Sequence, residues 1–543
     1  MRARFGISFS KAPVTRLRKS VRLATVALVG ALVAASCSSG AKSGTSTPAA
    51  TGASASRPNI VFILTDDLSW NLVNERFAPH IMALERQGET FDHYFVADSL
   101  CCPSRSTIFT GLYPHDTHVA TNLPPDGGYQ KFQAQGLQNR TFADALHSDG
   151  YATSMLGKYL NGYGDPWGNT GTKVKGGKKN RPAPDGAAFP VPPGWSDWHV
   201  ANGTGYAEFN YWQSDNGTFN FYRGKGNYGV DVMNSEAQSF IKSHTGSPFM
   251  VEAATFAPHK PYTPAPRNAN DFPGLTEPRD PSFDANNVNP PAWLGQRQPL
   301  TPAQITTIDN SYRKRAQSVE AVDKLVADTE ATLAAEHLSD KTYIFFSSDN
   351  GYHLGQHRLL MGKQTAFDTD IHVPLIVAGP GVPAGRTVSQ VVQNVDLYPT
   401  FVQLGGTTPA PSTEGHSLVP LLHPGHDTPW RTVALIEHKG GNDNPADPDF
   451  EGGSSNPTSY EAIRISAKHL PGFDGPVEAV YVEYADPQHE TEFYDINKDP
   501  YELTNTANQL TTAQRDELHR ILTGYEGCHD ANACWAAAQP SRG

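Results

Sequence analysis

Long apolar runs that end in polar, ionisable residues recur along this chain. In "NIVFILTDD" the run Ile60 to Leu64 is followed by Thr65, Asp66 and Asp67. "YATSMLGKYLN" leads to Lys158, "SPFMVEAATFAPHKP" to His259 and Lys260, and "TYIFFSSDNG" to Asp349 and Asn350. "HVPLIVAGPG" is a further run of the same kind. Unbroken apolar runs of this length predict strands buried on both faces, as in a parallel sheet. Between them, "SYRKRAQSVEAVDKLVADTEATLAAEH" spaces Ala316, Val319, Val322 and Val326 as on one face of a helix. Strands alternating with helices predict an α/β sheet, and such sheets bind ligands at the carboxyl ends of their strands. Here the ionisable residues stand at those ends.

The acids come in two groups. Asp66 and Asp67 are adjacent, and neighbouring carboxylates repel unless a cation or a partner lies between them. With Asp349 and Asn350 they offer four hard oxygen donors, a set suited to Ca²⁺ or Mg²⁺. Taken one pair at a time, a helix N-cap plus a solvated Asp explains each equally well. The stretch "DSLCCPSRSTIFTG", residues 98–111, places Cys101 and Cys102 before Pro103. Proline suits the first turn of a helix, so both thiols are expected at its positive end. That end and Arg105 are expected to lower a thiol pKa. As a bare pattern, two buried structural cysteines fit as well.

Composition narrows the class. The 543 residues are 38% hydrophobic and 18% charged, with 48 glycines and 43 prolines. The length allows about two to four domains. A net charge of −12 without a basic stripe gives no reason to expect nucleic-acid binding. Residues 1–36 are different: seven basic residues, no acid, and then "LATVALVGALVAA", too short to span a bilayer. This predicts an export signal. The ending "VAASC" resembles a bacterial lipobox, which implies lipid on Cys37; a simple secretory cut near Ala35 is the alternative. Residues 37–56 read as a flexible Ser/Gly/Ala/Thr tether. Export implies an oxidising compartment, where Cys528 and Cys534 in "CHDANAC" are expected to pair.

The whole motif decides between the readings of the cysteines. "CCPSRSTIFTG" resembles the sulfatase pattern C-x-P-S-R-x-x-x-x-T-G, and the chain is identified as a member of the formylglycine-dependent sulfatase family. "RPNIVFILTDD", "SSDNGYHLGQHRLLMGKQTAFDTDIHVPLIVAGPG" and "YDINKDPYELTN" extend the resemblance over nearly the whole exported chain. "GKYLN", "VPPGW", "APHKPYTPAP" and "DNGYHLGQ" resemble the N-acetylglucosamine-6-sulfatase and extracellular heparan 6-sulfatase branch.

The resemblance implies an alkaline-phosphatase-like fold: a large mixed, mostly parallel sheet flanked by helices, plus a smaller C-terminal α+β subdomain. The expected division is 57–405 catalytic and 406–543 C-terminal. It implies that a maturase oxidises Cys101 to formylglycine, with Cys102 the variable position. It implies that Asp66, Asp67, Asp349, Asn350 and the modified Cys101 bind a divalent cation, usually Ca²⁺. Arg105 would orient the hydrated aldehyde; Lys158, His259 and Lys363 would hold the sulfate and the leaving oxygen. An aldehyde hydrate supplies both a nucleophilic oxygen and a second hydroxyl for releasing sulfate.

The sequence departs from the family's common "GKWH" at one position, where Leu160 stands in place of the histidine. This leaves the base for sulfate release unassigned; His353 and His357 are candidates for some role at the site. A long aromatic insert from Tyr163 to Tyr228, with Trp167, Trp195, Trp198, Tyr206, Tyr211, Trp212, Phe219, Phe221 and Tyr222, is expected to read the alcohol.

The expected activity is hydrolysis of sulfate esters, of a sulfated saccharide before a small molecule. Alternatives are a broad arylsulfatase, a phosphonate or phosphate ester hydrolase of the same superfamily, and a non-enzymatic envelope glycan-binding protein that keeps Cys101 as a thiol. The membrane is expected to be met only through the lipid anchor, and no oligomeric state follows from the sequence.

Overall fold

The structure, a computed structural model, describes residues 57–164, 186–423, 428–440, 447–449 and 457–541. The export signal, Cys37, the tether and Trp167 lie outside the described residues.

Ten strands form the main sheet: β1 (Asn59–Thr65), β2 (Glu89–Phe91), β3 (Ala152–Lys158), β4 (Asp197–Ala201), β5 (Tyr211–Asp215), β6 (Thr218–Tyr222), β7 (Phe249–Ala254), β8 (Thr342–Ser348), β9 (Leu375–Ala378) and β10 (Arg386–Val388). Their order is β10-β2-β9-β8-β1-β7-β3-β4-β5-β6. The centre, β8-β1-β7-β3-β4, is parallel. Antiparallel pairs enter on both sides, at β9 and at β5 and β6. The four runs that end in ionisable residues are β8, β1, β7 and β3, which are consecutive neighbours.

Burial on both faces follows the run composition. Ile60, Phe62 and Leu64 of β1 join a core with α2 (Cys101–Thr110), α3 (Phe142–Ser148) and α6 (Leu397–Leu404). Val61 and Ile63 point the other way, into a core with α1 (Pro79–Gln87), α4 (Gly229–Ser243) and α5 (Pro302–Ala335). Ala316, Val319, Val322 and Val326 are all fully buried on α5. That helix starts before the apolar stripe does. Thr301 and Gln304 form a capping box with Pro302 in the first turn, which satisfies amides that would otherwise be orphaned.

A second sheet is antiparallel throughout, in the order β11 (Val433–His438), β12 (Tyr460–Ala467), β13 (Val477–Tyr484) and β14 (Thr491–Asp495). Leu518, Ile521 and Leu522 of α7 (Thr512–Glu526) pack on its Leu435, Ile463 and Ile465. Cys528 and Cys534 are disulfide-bonded, while Cys101 and Cys102 are free and buried.

Candidate active site

The strand ends bring the site together. Asp66 and Asp67 follow β1, and Asp67 sits in the left-handed region at φ 64°, a conformation Asp tolerates better than most residues. Its amide donates to Asp349 Oδ1 at 3.2 Å, which ties the end of β1 to the end of β8. Lys158 closes β3 after Gly157, whose φ is 86°; a Cβ there would meet the Ala254 carbonyl at 2.1 Å. That close approach lets β3 turn Lys158 onto Asp66 Oδ2. His259 lies five residues beyond Ala254, the end of β7.

Every residue of α2 is buried. Its N-cap side chain, Leu100, cannot accept a hydrogen bond, and Asn122 Oδ1 instead accepts the Cys102 amide at 2.9 Å. Gly111 ends the helix at φ 66° and returns its amide to the Thr107 carbonyl.

Cys101 Sγ is the hub. Its single S–H has two acceptors in reach, Asp66 Oδ1 at 3.3 Å and Asp449 Oδ2 at 3.6 Å, and the sulfur accepts from Lys363 Nζ at 2.9 Å. Lys363 also reaches Asp67 Oδ1 at 2.5 Å, and Asn350 Nδ2 donates to the same oxygen at 2.6 Å. Arg105 donates from Nε to Asp349 Oδ2 and from Nη1 to the Lys158 carbonyl, each at 2.8 Å. All nine residues expected at the site are therefore buried in one connected cluster.

The electrostatics follow from burial and pairing. Burial raises the Asp66 carboxyl, with Lys158 opposing. Burial also acts to raise Asp349, but Arg105, Lys158 and Lys363 hold it below the usual carboxylate range. Burial disfavours charge on His259, yet Asp67, Asp66 and Asp449 keep it above its ordinary value. Its two ring nitrogens face the Lys260 carbonyl at 2.7 Å and Asp449 Oδ1 at 2.7 Å.

The expectation of low thiol pKa values is corrected. Burial pushes the Cys101 thiol well up, and the Asp66 carboxylate adds to it against Lys158 and Lys363. Cys102 is pushed up to about 12 by burial, with the Asn161 amide opposing. Desolvation outweighs a helix dipole that an exposed thiol would feel.

Asp449 and Asn122, not expected at the site from the sequence, belong to the cluster, as does Tyr206 of the aromatic insert. Asp449 Oδ1 receives both His259 and Lys363 Nζ, the latter at 3.1 Å. Burial opposes its charge, but Lys363 and His259 hold its carboxyl well below the usual range. Asn122 Nδ2 donates to Asp449 Oδ2 at 2.6 Å and to Asp447 Oδ1 at 3.1 Å. Tyr206 lays its ring 4.5 Å from that of His259, with Lys158 Nζ 5.0 Å from its centroid. The acid-rich "NDNPADPDFEGG" was the available signal for Asp447 and Asp449; Asn122 carries none.

The histidines considered for the missing base have other partners. His353 Nδ1 faces Asp370 at 3.0 Å. His357 bonds Asn287 at 3.0 Å and stacks on Phe367 at 3.9 Å, and burial lowers it to about 3. Most described insert aromatics are packing groups: Trp198, Tyr211 and Phe219 are buried.

A divalent cation fits these residues. Among the described residues, Asp67 Oδ2 and Asn350 Oδ1 are buried and make no hydrogen bond. Asp66, Asp67, Cys101 and His259 bring ligand atoms within 4.8 Å of one another. Buried acceptors without donors, beside carboxylates, are what a hard cation satisfies.

Comparison with known proteins decides the family. Residues 58–407 match the family model described as Sulfatase. The chain belongs to the sulfatase family. It is a sulfuric ester hydrolase. This sulfatase is 32% identical to the N-acetylglucosamine-6-sulfatase of Homo sapiens over 489 residues, 87% of this chain and 85% of the relative. It is 29% identical to an arylsulfatase of Volvox carteri, over 86% of this chain and 74% of that one. Among solved structures, one in complex with its substrate D-glucosamine-2-N,6-O-disulfate superposes with a TM-score of 0.69 at 21% identity, covering 86% of this sulfatase and 97% of that chain. A phosphonate monoester hydrolase of Agrobacterium radiobacter gives 0.59 at 21%, covering 83% and 92%. These two likenesses establish the shared fold.

Proposed function

We propose that this sulfatase hydrolyses 6-O-sulfate esters of amino-sugar saccharides, with Cys101 matured to formylglycine and Ca²⁺ held by Asp66, Asp67, Asp349 and Asn350. The formylglycine and the cation together supply an activated oxygen nucleophile at neutral pH. The chain's own residues do the rest. Lys158, Lys363 and His259 donate to the sulfate oxygens and offset the charge that builds on them. His259 or Lys363 passes a proton to the departing alcohol oxygen. Arg105, fixed by Asp349 and the Lys158 carbonyl, orients residue 101.

The observation that carries this reading is the seat of Asp449. His259 and Lys363 converge on one carboxylate oxygen beside Cys101 Sγ. One oxyanion bonded by an imidazolium and an ammonium is the arrangement a sulfate oxygen needs, and an entering sulfate takes the place of Asp449. The N-acetylglucosamine-6-sulfatase relatives, which match most of the chain, support an amino-sugar alcohol. The signal-like N-terminus and "VAASC" support export with lipid on Cys37, and the two sheets support a catalytic segment 57–405 and a C-terminal segment 406–543.

The test uses full-length protein co-expressed with a formylglycine-generating maturase. Mass spectrometry of the Cys101 peptide is expected to show the aldehyde, and sulfate release from a 6-sulfated amino-sugar oligosaccharide to exceed that from an alkyl sulfate. Converted protein that cleaves an aryl phosphonate faster than the matched aryl sulfate overturns the assignment. Activity from protein whose Cys101 is still a thiol overturns the nucleophile.

A further inference from the structure

A second cluster of chemistry-bearing side chains lies outside the Cys101 site. His115 and Asp116 sit in the short helix Pro114–Thr117, just after α2, and His529 follows Cys528 of the disulfide. With Glu414, these residues bring one ligand atom each to within 4.8 Å of one another. Glu414 is 1% exposed. Its Oε2 accepts the Tyr113 amide at 2.5 Å, while its Oε1 receives no N–H or hydroxyl donor among the described residues and the group abuts the Asp116 carboxyl. Burial, and next the abutting Asp116 carboxyl, push Glu414 up to about 9. Two carboxyl groups in contact need a proton or a cation between them. His529 Nδ1 faces both Asp116 oxygens, at 2.9 and 3.0 Å, from an exposed ring. His115 Nδ1 bonds Glu437 Oε1 at 2.9 Å, and its Nε2 bonds the Cys528 carbonyl at 3.0 Å.

We propose that His115, Asp116, Glu414 and His529 form a second divalent metal site, of zinc type, joining the disulfide loop to the turn after α2. Two imidazoles with two carboxylates suit a borderline ion that takes four ligands. The oxygen-rich set around Asp66 suits a hard one instead. Glu437 holds His115 Nδ1–H as a supporting carboxylate holds a metal-bound imidazole, which leaves Nε2 to turn from the Cys528 carbonyl to the ion. Metal entry releases the second imidazolium proton of His115 and the proton shared by Glu414 and Asp116 to solvent, and the His529 ring proton moves from Nδ1 to Nε2 so that Nδ1 can ligate.

The test uses untagged full-length protein stripped by chelator and dialysed into excess calcium with micromolar zinc chloride. Bound metal is counted by elemental mass spectrometry in wild type, Glu414→Gln and His529→Ala. One zinc equivalent is expected in wild type, held at least about tenfold more weakly in each variant, with calcium content and aryl sulfate turnover unchanged. Zinc held at the Cys101 site remains in all three proteins and so cancels in the difference. His529 is exposed, so its variant reports even if Glu414→Gln fails to fold. Equal zinc in wild type and His529→Ala overturns the proposal and leaves a shared proton as the sole occupant of the carboxyl pair.

Discussion

Two buried Arg–Asp pairs, Arg105–Asp349 and Arg431–Asp396, have the same chemistry and different surroundings. Asp396 precedes α6 and is closed. Its oxygens accept Arg431 through two nitrogens and the backbone amides of Gln393 and His416, each at 2.8 Å. Those donors come from neighbouring segments, so the pair pins the start of β11 to the start of α6. Arg105 gives Asp349 one bond only and spends a second on the Lys158 carbonyl. Asp349 accepts the Asp67 amide, and beside it lie Asp67 Oδ2 and Asn350 Oδ1, buried acceptors without donors. A closed pair fastens backbone; an open one leaves acceptors for something else. The difference lies in the partners of the partners, which neither residue type reveals.

The largest effect expected is at the hub. Cys101→Ser removes the residue to be matured, and turnover of an aryl sulfate should fall by about 10³-fold or more. Its thermal midpoint should stay close to wild type, because one buried oxygen replaces one buried sulfur. Cys102→Ala, with the helix amide still capped by Asn122, should keep most of the activity. A Cys101→Ser protein with wild-type turnover would remove the hub from the mechanism.

The two arginines then separate the two kinds of pair. Arg431→Met leaves Asp396 buried without its cation and should cost about 3–5 kcal/mol of stability. The kcat of the protein that stays folded should not change. Arg105→Lys keeps a charge but cannot serve Asp349 and the Lys158 carbonyl together. It should lower kcat about 100-fold with a smaller loss of stability. Denaturant melts and kcat measured on the same preparations check both. A similar profile in the two variants would dissolve the distinction.

How much of this was legible follows from where each residue sits. The four central strands were readable because burial on both faces forces an unbroken apolar run, and the next ionisable residue must then lie at the strand's end. Cys101 and Arg105 were readable from motif spacing. Asp449 and Asn122 come from irregular segments where no periodicity links position to direction, so only folding brings them to Cys101; Tyr206 was legible as an insert aromatic but not as a neighbour of His259. The start of α5 was underread because the stripe begins inside the helix, although Thr301 and Gln304 already spelled its cap. The thiol pKa values were misjudged because a dipole can be read from a helix start while desolvation needs the packed structure.

Asp449 sharpens the comparison further, since its carboxylate occupies His259 and Lys363, the pair proposed to hold the sulfate. Asp449→Asn keeps the Asn122 contact geometry but removes the charge resting on His259 and Lys363. Sulfate esters should then meet less competition. A KM lower by a few-fold and tighter inhibition by inorganic sulfate are expected, with kcat changed less. Unchanged KM and unchanged sulfate inhibition would mean that the carboxylate does not share the sulfate's place.

The effect on activity is smallest for what stands behind the open pair. Glu252 on β7 is fully buried, and neither of its oxygens has a hydrogen-bond partner among the described residues. Burial pushes it up to about 8, with the charge of Arg105 opposing. Its folded pKa thus lies above the unfolded one, near 4.5. The buried site tolerates its neutral form better than its charged one, so the folded state is favoured most at pH below the unfolded value, and that relative stability is lost as pH rises from there through 8. Between the two values the folded carboxyl stays protonated while the unfolded chain's does not, and above pH 8 it ionises in its buried place. Wild-type stability should therefore fall between pH 5 and 8 by up to about 1.4 kcal/mol per pH unit from this group alone. Glu252→Gln holds the same shape without a titrating proton, so that part of the slope should vanish while kcat at neutral pH stays within about twofold. Denaturant melts of both proteins across this range decide it: identical slopes would mean that Glu252 is ionised in the folded state and that Arg105 is shared between two carboxylates, making the open pair less open than its hydrogen bonds imply.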